Sequence, residues 1–272
     1  MTTVSALTAL RAAPKVGALQ DFANDLDNMF TPPVPLPSPA VRAARTIAEI
    51  DWTADTIVIW VPGTSGHGVE PKVLEALGGV TGAPRAVAVE YQATWRLRES
   101  VPDGEAALRA VLELVAARRR RGQRVVLLGE SQGAWVISSV LRDPKFARLV
   151  SRAALVAHPG MAPAHAHATA GGLDTLDARR VREFNRDGDL VTRDLGPNAA
   201  AAVEVVDAFA RIEIGRALAG TIGLAFRAPS LLGGLVSSQL FRMKGTANPH
   251  AASDLLAEAV AWALRDGTST NA

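Results

Sequence analysis

Residues 124–133 read Arg-Val-Val-Leu-Leu-Gly-Glu-Ser-Gln-Gly. Arg124 to Leu128 is the most strand-like run in the chain, and Gln132 to Leu141 follows with a helical pattern. A strand that turns straight into a helix with serine at the apex is a nucleophile-elbow arrangement. The bare pattern G-x-S-x-G is weak, because chance gives about 0.1 matches in a chain of this composition. Its place at a strand–turn–helix junction makes it informative. The turn is tight, so Gly129 and Gly133 remove side chains that would clash. It also aims the Ser131 hydroxyl at a helix N-terminus, where backbone N–H groups can stabilise an oxyanion. The plain alternative is a β–turn–α junction with a capping serine.

The pattern alternates on both sides of this junction. Thr56 to Val61 (TIVIWV), Arg85 to Tyr91, Arg152 to Ala157 and Val181 to Phe184 read as further strands. Pro102 to Arg121 and Asp254 to Arg265 read as helices. Near-continuous apolar strands alternating with helices predict an α/β fold, a doubly wound parallel sheet covered on both faces. Residues 31–39 hold five prolines in nine positions, an extended segment without ladder or helix. Residues 1–50 therefore read as an arm across a main domain of residues 51–272. Residues 199–241 are rich in Ala, Leu and Gly and helical in pattern, with an apolar face that includes Val203, Val206, Phe209 and Ile212. They form a helical insert, either packed on the sheet or capping a lipid-like substrate.

The chain has 272 residues, enough for one large domain, with 48% hydrophobic and 21% charged residues. A net charge of +2 gives no reason to expect nucleic acid as a partner. Arg118 to Arg121 reads as a solvated helix end, where positive charge suits the macrodipole. There is no cysteine, so disulfides, a thiol nucleophile and thiolate metal sites are all excluded. The N-terminus reads poorly as a signal peptide because Arg11 and Lys15 interrupt its apolar stretch. No apolar run reaches bilayer length, since Arg227 splits the best candidate.

A serine hydroxyl needs a base within hydrogen-bond reach, and the base needs an orienting group. In this fold class the chain order is serine, acid, histidine. Of His67, His158, His165, His167 and His250, only His250 comes late enough; it precedes the terminal helix. The acid should follow a strand, and Phe184 to Val191 (FNRDGDLV) offers Asp187 and Asp189 around Gly188; spacing alone does not choose between them. Asp194 is a weaker candidate. One oxyanion donor is the backbone N–H of Gln132. The second should come from the glycine-rich loop Pro62–Gly68, with Thr64 favoured and Ser65 next. The glycine spacing of that loop does not fit nucleotide binding.

These segments resemble the cutinase-like serine esterases, and within them the phage Lysin B esterases. Gly-Glu-Ser-Gln-Gly-Ala resembles the family elbow, Pro-Gly-Thr-Ser its oxyanion loop, Asp-Gly-Asp-Leu-Val its acid motif and Pro-His-Ala its late histidine. The resemblance implies Asp189 as the acid, because the family's acid follows the glycine. Cutinases usually pin the acid loop with a disulfide; Asn185 and Thr192 stand where those cysteines would fall. The helical stretch of about 60 residues between Asp189 and His250 is similar to Lysin B. Lysin B likeness implies hydrolysis of fatty or mycolic acyl esters, with no metal or organic cofactor and a lipid-like ester as partner. A lipase or thioesterase, or a binding protein on the same fold, are the alternatives. Oligomeric state is not legible.

Overall fold

A computed structural model of the chain describes residues 35–80, 84–160, 162, 180–186, 189, 191–192, 198–210 and 253–265. Five strands form one parallel sheet: β1 (Thr56–Val61), β2 (Ala86–Ala88), β3 (Arg124–Glu130), β4 (Arg152–Val156) and β5 (Val181–Phe184), in the order β2-β1-β3-β4-β5. The helices are α1 (Pro39–Ala48), α2 (Pro71–Gly78), α3 (Leu97–Arg118), α4 (Gln132–Leu141), α5 (Pro144–Leu149), α6 (Ala199–Ala210) and α7 (Ser253–Leu264).

Alternate strand residues enter two separate cores. Ile57, Ile59, Val61, Val125 and Leu127 pack with α1, α3, α4 and α6. Val58, Trp60, Val126 and Leu128 pack with α2 and α7. Both faces are therefore dry along β1, β3 and β4, which is why these strands read as near-continuous apolar runs, whereas β5 at the end of the sheet is only partly buried. The chain leaves β1 for β2, then crosses to β3 on the other side of β1. In such a sheet the ligand crevice opens at the carboxyl ends of the strands where the order reverses, here between β1 and β3.

Two expected elements differ in extent. The helix expected over 102–121 begins at Leu97 and ends at Arg118, with Pro102 inside it. Proline withholds one N–H, but it sits in the second turn, close to an end whose N–H groups are served from outside. The Arg98 N–H, for example, donates to Asp207 of α6 at 3.2 Å. The strand expected over 85–91 is regular only from Ala86 to Ala88. Val89 still donates to the Trp60 carbonyl at 2.9 Å, and the chain then turns away, reaching a positive φ of 47° at Ala93.

Residues 39–50 add Ala43, Ile47 and Ile50 to the core. Arg42, fully buried, makes a two-pronged pair with Asp103 of α3 at 2.9 and 2.5 Å and donates to the Glu90 carbonyl at 2.9 Å. In α6, Ala199, Ala202, Val205 and Val206 are also core. The apolar face of residues 199–206 thus packs inward, whereas 211–241 lie outside the described residues. Among the described residues no helix is long and apolar enough to cross a membrane.

Candidate active site

β3 ends at Glu130, and α4 begins at Gln132. Ser131 joins them with φ 51° and ψ −117°, a conformation that costs a non-glycine residue of the order of 1–3 kcal/mol. Its N–H donates to the Val156 carbonyl at 2.8 Å, and its carbonyl accepts from the Trp135 N–H at 3.1 Å. Sheet and helix therefore hold the strained residue from both sides. The two flanking glycines are obligatory. A Cβ on Gly129 would meet the backbone carbonyl carbon and oxygen of Gly133 at 2.9 Å as well as Ile137 Cδ1 at 2.6 Å, and one on Gly133 would meet the Val61 carbonyl oxygen at 2.0 Å.

The loop after β1 lies against this elbow. A Cβ on Gly63 would stand 3.1 Å from the Glu130 carbonyl oxygen and 3.5 Å from Ser131 Cβ. The loop turns on itself through Gly66 N–H to the Gly63 carbonyl at 2.9 Å. Ser65, with φ 63°, donates its N–H to the Ala93 carbonyl at 2.5 Å. That bond engages the Ser65 N–H and leaves Thr64 as the better second donor.

The side chain of Gln132 has a role that the sequence did not announce. It is 2% exposed. Its Nε2 donates to the Thr94 carbonyl, and its Oε1 accepts from Ser100 Oγ, both at 2.9 Å. Ser100 Oγ in turn accepts the Thr94 N–H at 3.0 Å. Residues 91–94 also grip the loop after β1, because Tyr91 Oη donates to the Pro62 carbonyl at 2.6 Å. Burial, aided by the Asp103 carboxylate, pushes the Tyr91 phenol far above its ordinary pKa and keeps it a donor. The signal for this network is the glutamine after Ser131, a residue type that G-x-S-x-G leaves open.

Asp189 follows β5 and is buried. Its Oδ1 accepts the Val191 N–H at 2.9 Å, and its carbonyl accepts from Thr192 Oγ1 at 3.0 Å. Because the sheet is parallel, Ser131 after β3 and Asp189 after β5 lie at the same sheet edge, with β4 between them. Asp187, Asp194 and His250 lie outside the described residues, as do His165 and His167. His67 is exposed. His158 is fully buried and hydrogen-bonded through both ring nitrogens, which removes it as a base for Ser131.

The helix that follows His250 is anchored at both ends. Arg124, at the start of β3, donates to the carbonyls of Ala263, Leu264 and Arg265 at the C-terminal end of α7, at 3.1, 3.3 and 3.2 Å. At its other end, Asp254 pairs with Arg186, whose carbonyl accepts the Asp189 N–H at 3.1 Å. α7 thus begins beside the turn that carries Asp189.

Among solved structures the chain is similar to a Trichoderma reesei cutinase in complex with a C11Y4 phosphonate inhibitor, at 17% identity and a TM-score of 0.37, over 66% of this chain and 88% of that one. No protein-family model and no curated protein matches the chain.

Proposed function

We propose that the protein is a serine carboxylic ester hydrolase, with Ser131 as nucleophile, His250 as base and Asp189 as the orienting acid. The observation that carries this reading is the backbone of Ser131. A non-glycine residue at φ 51°, wedged between a parallel strand and a helix by two obligatory glycines, is a costly way to build a plain turn. It is the geometry that lifts a serine hydroxyl to the crevice beside a helix N-terminus.

Ser131 Oγ attacks the ester carbonyl carbon while His250 takes its proton, and Asp189 stabilises the imidazolium. The N–H groups of Gln132 and Thr64 hold the oxyanion. The alcohol leaves with the proton from His250. Water, deprotonated by His250, then attacks the acyl carbonyl and frees Ser131. The anchored start of α7 beside the acid turn supports His250 as the base. For the acyl group we favour fatty or mycolic chains; the resemblance of the sequence to Lysin B supports this.

The test is hydrolysis of p-nitrophenyl esters from butyrate to palmitate by the wild type and by Ser131→Ala. Activity that rises with chain length and falls roughly a thousandfold in the variant supports the reading. A wild type inert on every ester, or a variant that keeps its rate, overturns it.

A further inference from the structure

The strand that separates the nucleophile from the acid ends in a buried histidine. β4 pairs with β3, which leads to Ser131, and with β5, which leads to Asp189. Two residues past β4, His158 has no solvent exposure. Its Nε2 shares a hydrogen bond with Ser138 Oγ at 2.9 Å, and its Nδ1 one with Glu183 Oε1 at 3.0 Å. Ser138 belongs to α4, two turns after Ser131. Glu183 belongs to β5. The ring therefore reaches the elbow helix on one side and the acid strand on the other.

From these contacts we infer that His158 is a positioning residue for hydrolysis, a rigid spacer that sets the separation of the elbow and the acid turn. This rests on Ser131 and Asp189 being nucleophile and acid. Further bonds carry the constraint onward. The His158 N–H donates to Asn185 Oδ1 at 3.0 Å, and Asn185 Nδ2 donates to Glu183 Oε2 at 3.1 Å. Gly160 N–H donates to the Val191 carbonyl at 2.8 Å, tying the β4 exit to the segment that holds Asp189 Oδ1. On the other side, Ser138 Oγ donates to the Trp135 carbonyl at 2.8 Å, inside the helix that opens at the elbow. A planar ring with a nitrogen on each side fixes a distance that an aliphatic side chain of similar volume could not. A fully buried imidazole is costly unless its bonds are made, and here they are made to the two elements whose spacing the chemistry needs.

The experiment compares His158→Leu with the wild type by amide hydrogen exchange and by kcat per titratable serine, each also in an Asp189→Asn background. The expected result is exchange at least roughly tenfold faster over residues 184–192 with β1 unchanged, and kcat lower by roughly 10- to 100-fold with KM within about twofold. In the Asp189→Asn background the same substitution should change kcat by less than about twofold, because the acid it positions is already disabled. Unchanged exchange over 184–192, or equal losses of kcat in both backgrounds, overturns the inference. Glu183→Ala removes the Nδ1 partner from a partly exposed position and leaves the core intact. It should show the same two effects at smaller size even where His158→Leu does not fold, and wild-type behaviour there overturns the inference. If Ser131→Ala hydrolyses esters like the wild type, the hydrolase reading has failed. The exchange data then still report whether His158 braces the acid turn.

Discussion

A Cβ on Gly133 would stand 2.0 Å from the carbonyl oxygen of Val61 and 2.6 Å from that of Pro62. The first turn of α4 thus rests directly on the end of β1, at the point where the sheet order reverses. Gly133→Ala must push its new methyl group into the β1 backbone, and the expected loss is about 3 kcal/mol or more together with ester hydrolysis. Gly68 is the control. It has φ +74°, and a methyl group there would meet nothing within 4 Å, so Gly68→Ala should cost only about 1 kcal/mol of conformational strain. Urea denaturation of both variants checks the contrast, and a Gly133→Ala protein as stable as Gly68→Ala would refute the contact.

Tyr91 is the only tyrosine in the chain, so its ionisation can be read without ambiguity. Burial, with a smaller contribution from Asp103, holds its phenol above the ordinary value of 10.0. The sign follows directly. Below about pH 10 the phenol is neutral in both folded and unfolded chains, so its contribution to stability is complete. Above that pH the unfolded chain ionises and the folded one does not, so stability falls as pH rises. The phenolate absorption band should therefore appear only with unfolding. Tyr91→Phe should cost about 1–2 kcal/mol at neutral pH, by stranding the Pro62 carbonyl, and should flatten the alkaline decline. A phenolate that forms reversibly in the folded protein near pH 10 would contradict this.

Gln132→Leu removes the bridge between Thr94 and Ser100 while keeping the backbone N–H of residue 132. The 91–94 segment, which grips the loop bearing Thr64, then loses its side-chain tie to the elbow. The expected effect is kcat lower by roughly 100-fold with KM within about threefold, because the loop serves the transition state more than the bound ester. Steady-state kinetics on a soluble short-chain ester decides it; a loss confined to KM would point to substrate binding instead.

Ser131 occupies a conformation suited to glycine. Ser131→Gly should therefore gain about 1 kcal/mol of stability while losing hydrolysis, a direct measure of strain held for function. A Ser131→Gly protein less stable than the wild type in urea would argue against stored strain.

The parts of this molecule that were legible in sequence are those decided over a few neighbouring residues. The elbow is one: Gly129, Ser131 and Gly133 sit within one turn, and the clash that demands the glycines is local or with the adjacent strand. The strands were legible because both faces of the sheet are buried. What was not legible depends on partners far along the chain. The early start of α3 draws on Asp207, which lies 109 residues from Arg98. The inward packing of α1 rests on Arg42 and Asp103, 61 residues apart. The bond from the Ser65 N–H to the Ala93 carbonyl, 28 residues along the chain, is one that no spacing rule around the loop reveals. Between Asp187 and Asp189 spacing was silent, and the buried, hydrogen-bonded carboxylate of Asp189 fits the acid's role.

The central claim is that Ser131 is the nucleophile, and covalent labelling tests it most directly. The full chain is treated with an alkyl fluorophosphonate, in which a serine oxygen bonds phosphorus and fluoride departs, and the product is read by intact mass and peptide mapping. The expected result is one phosphonyl group per chain, on Ser131, absent in Ser131→Ala and formed at least roughly 100-fold more slowly in His250→Ala. Labelling on another residue, or labelling that persists in Ser131→Ala, would contradict it.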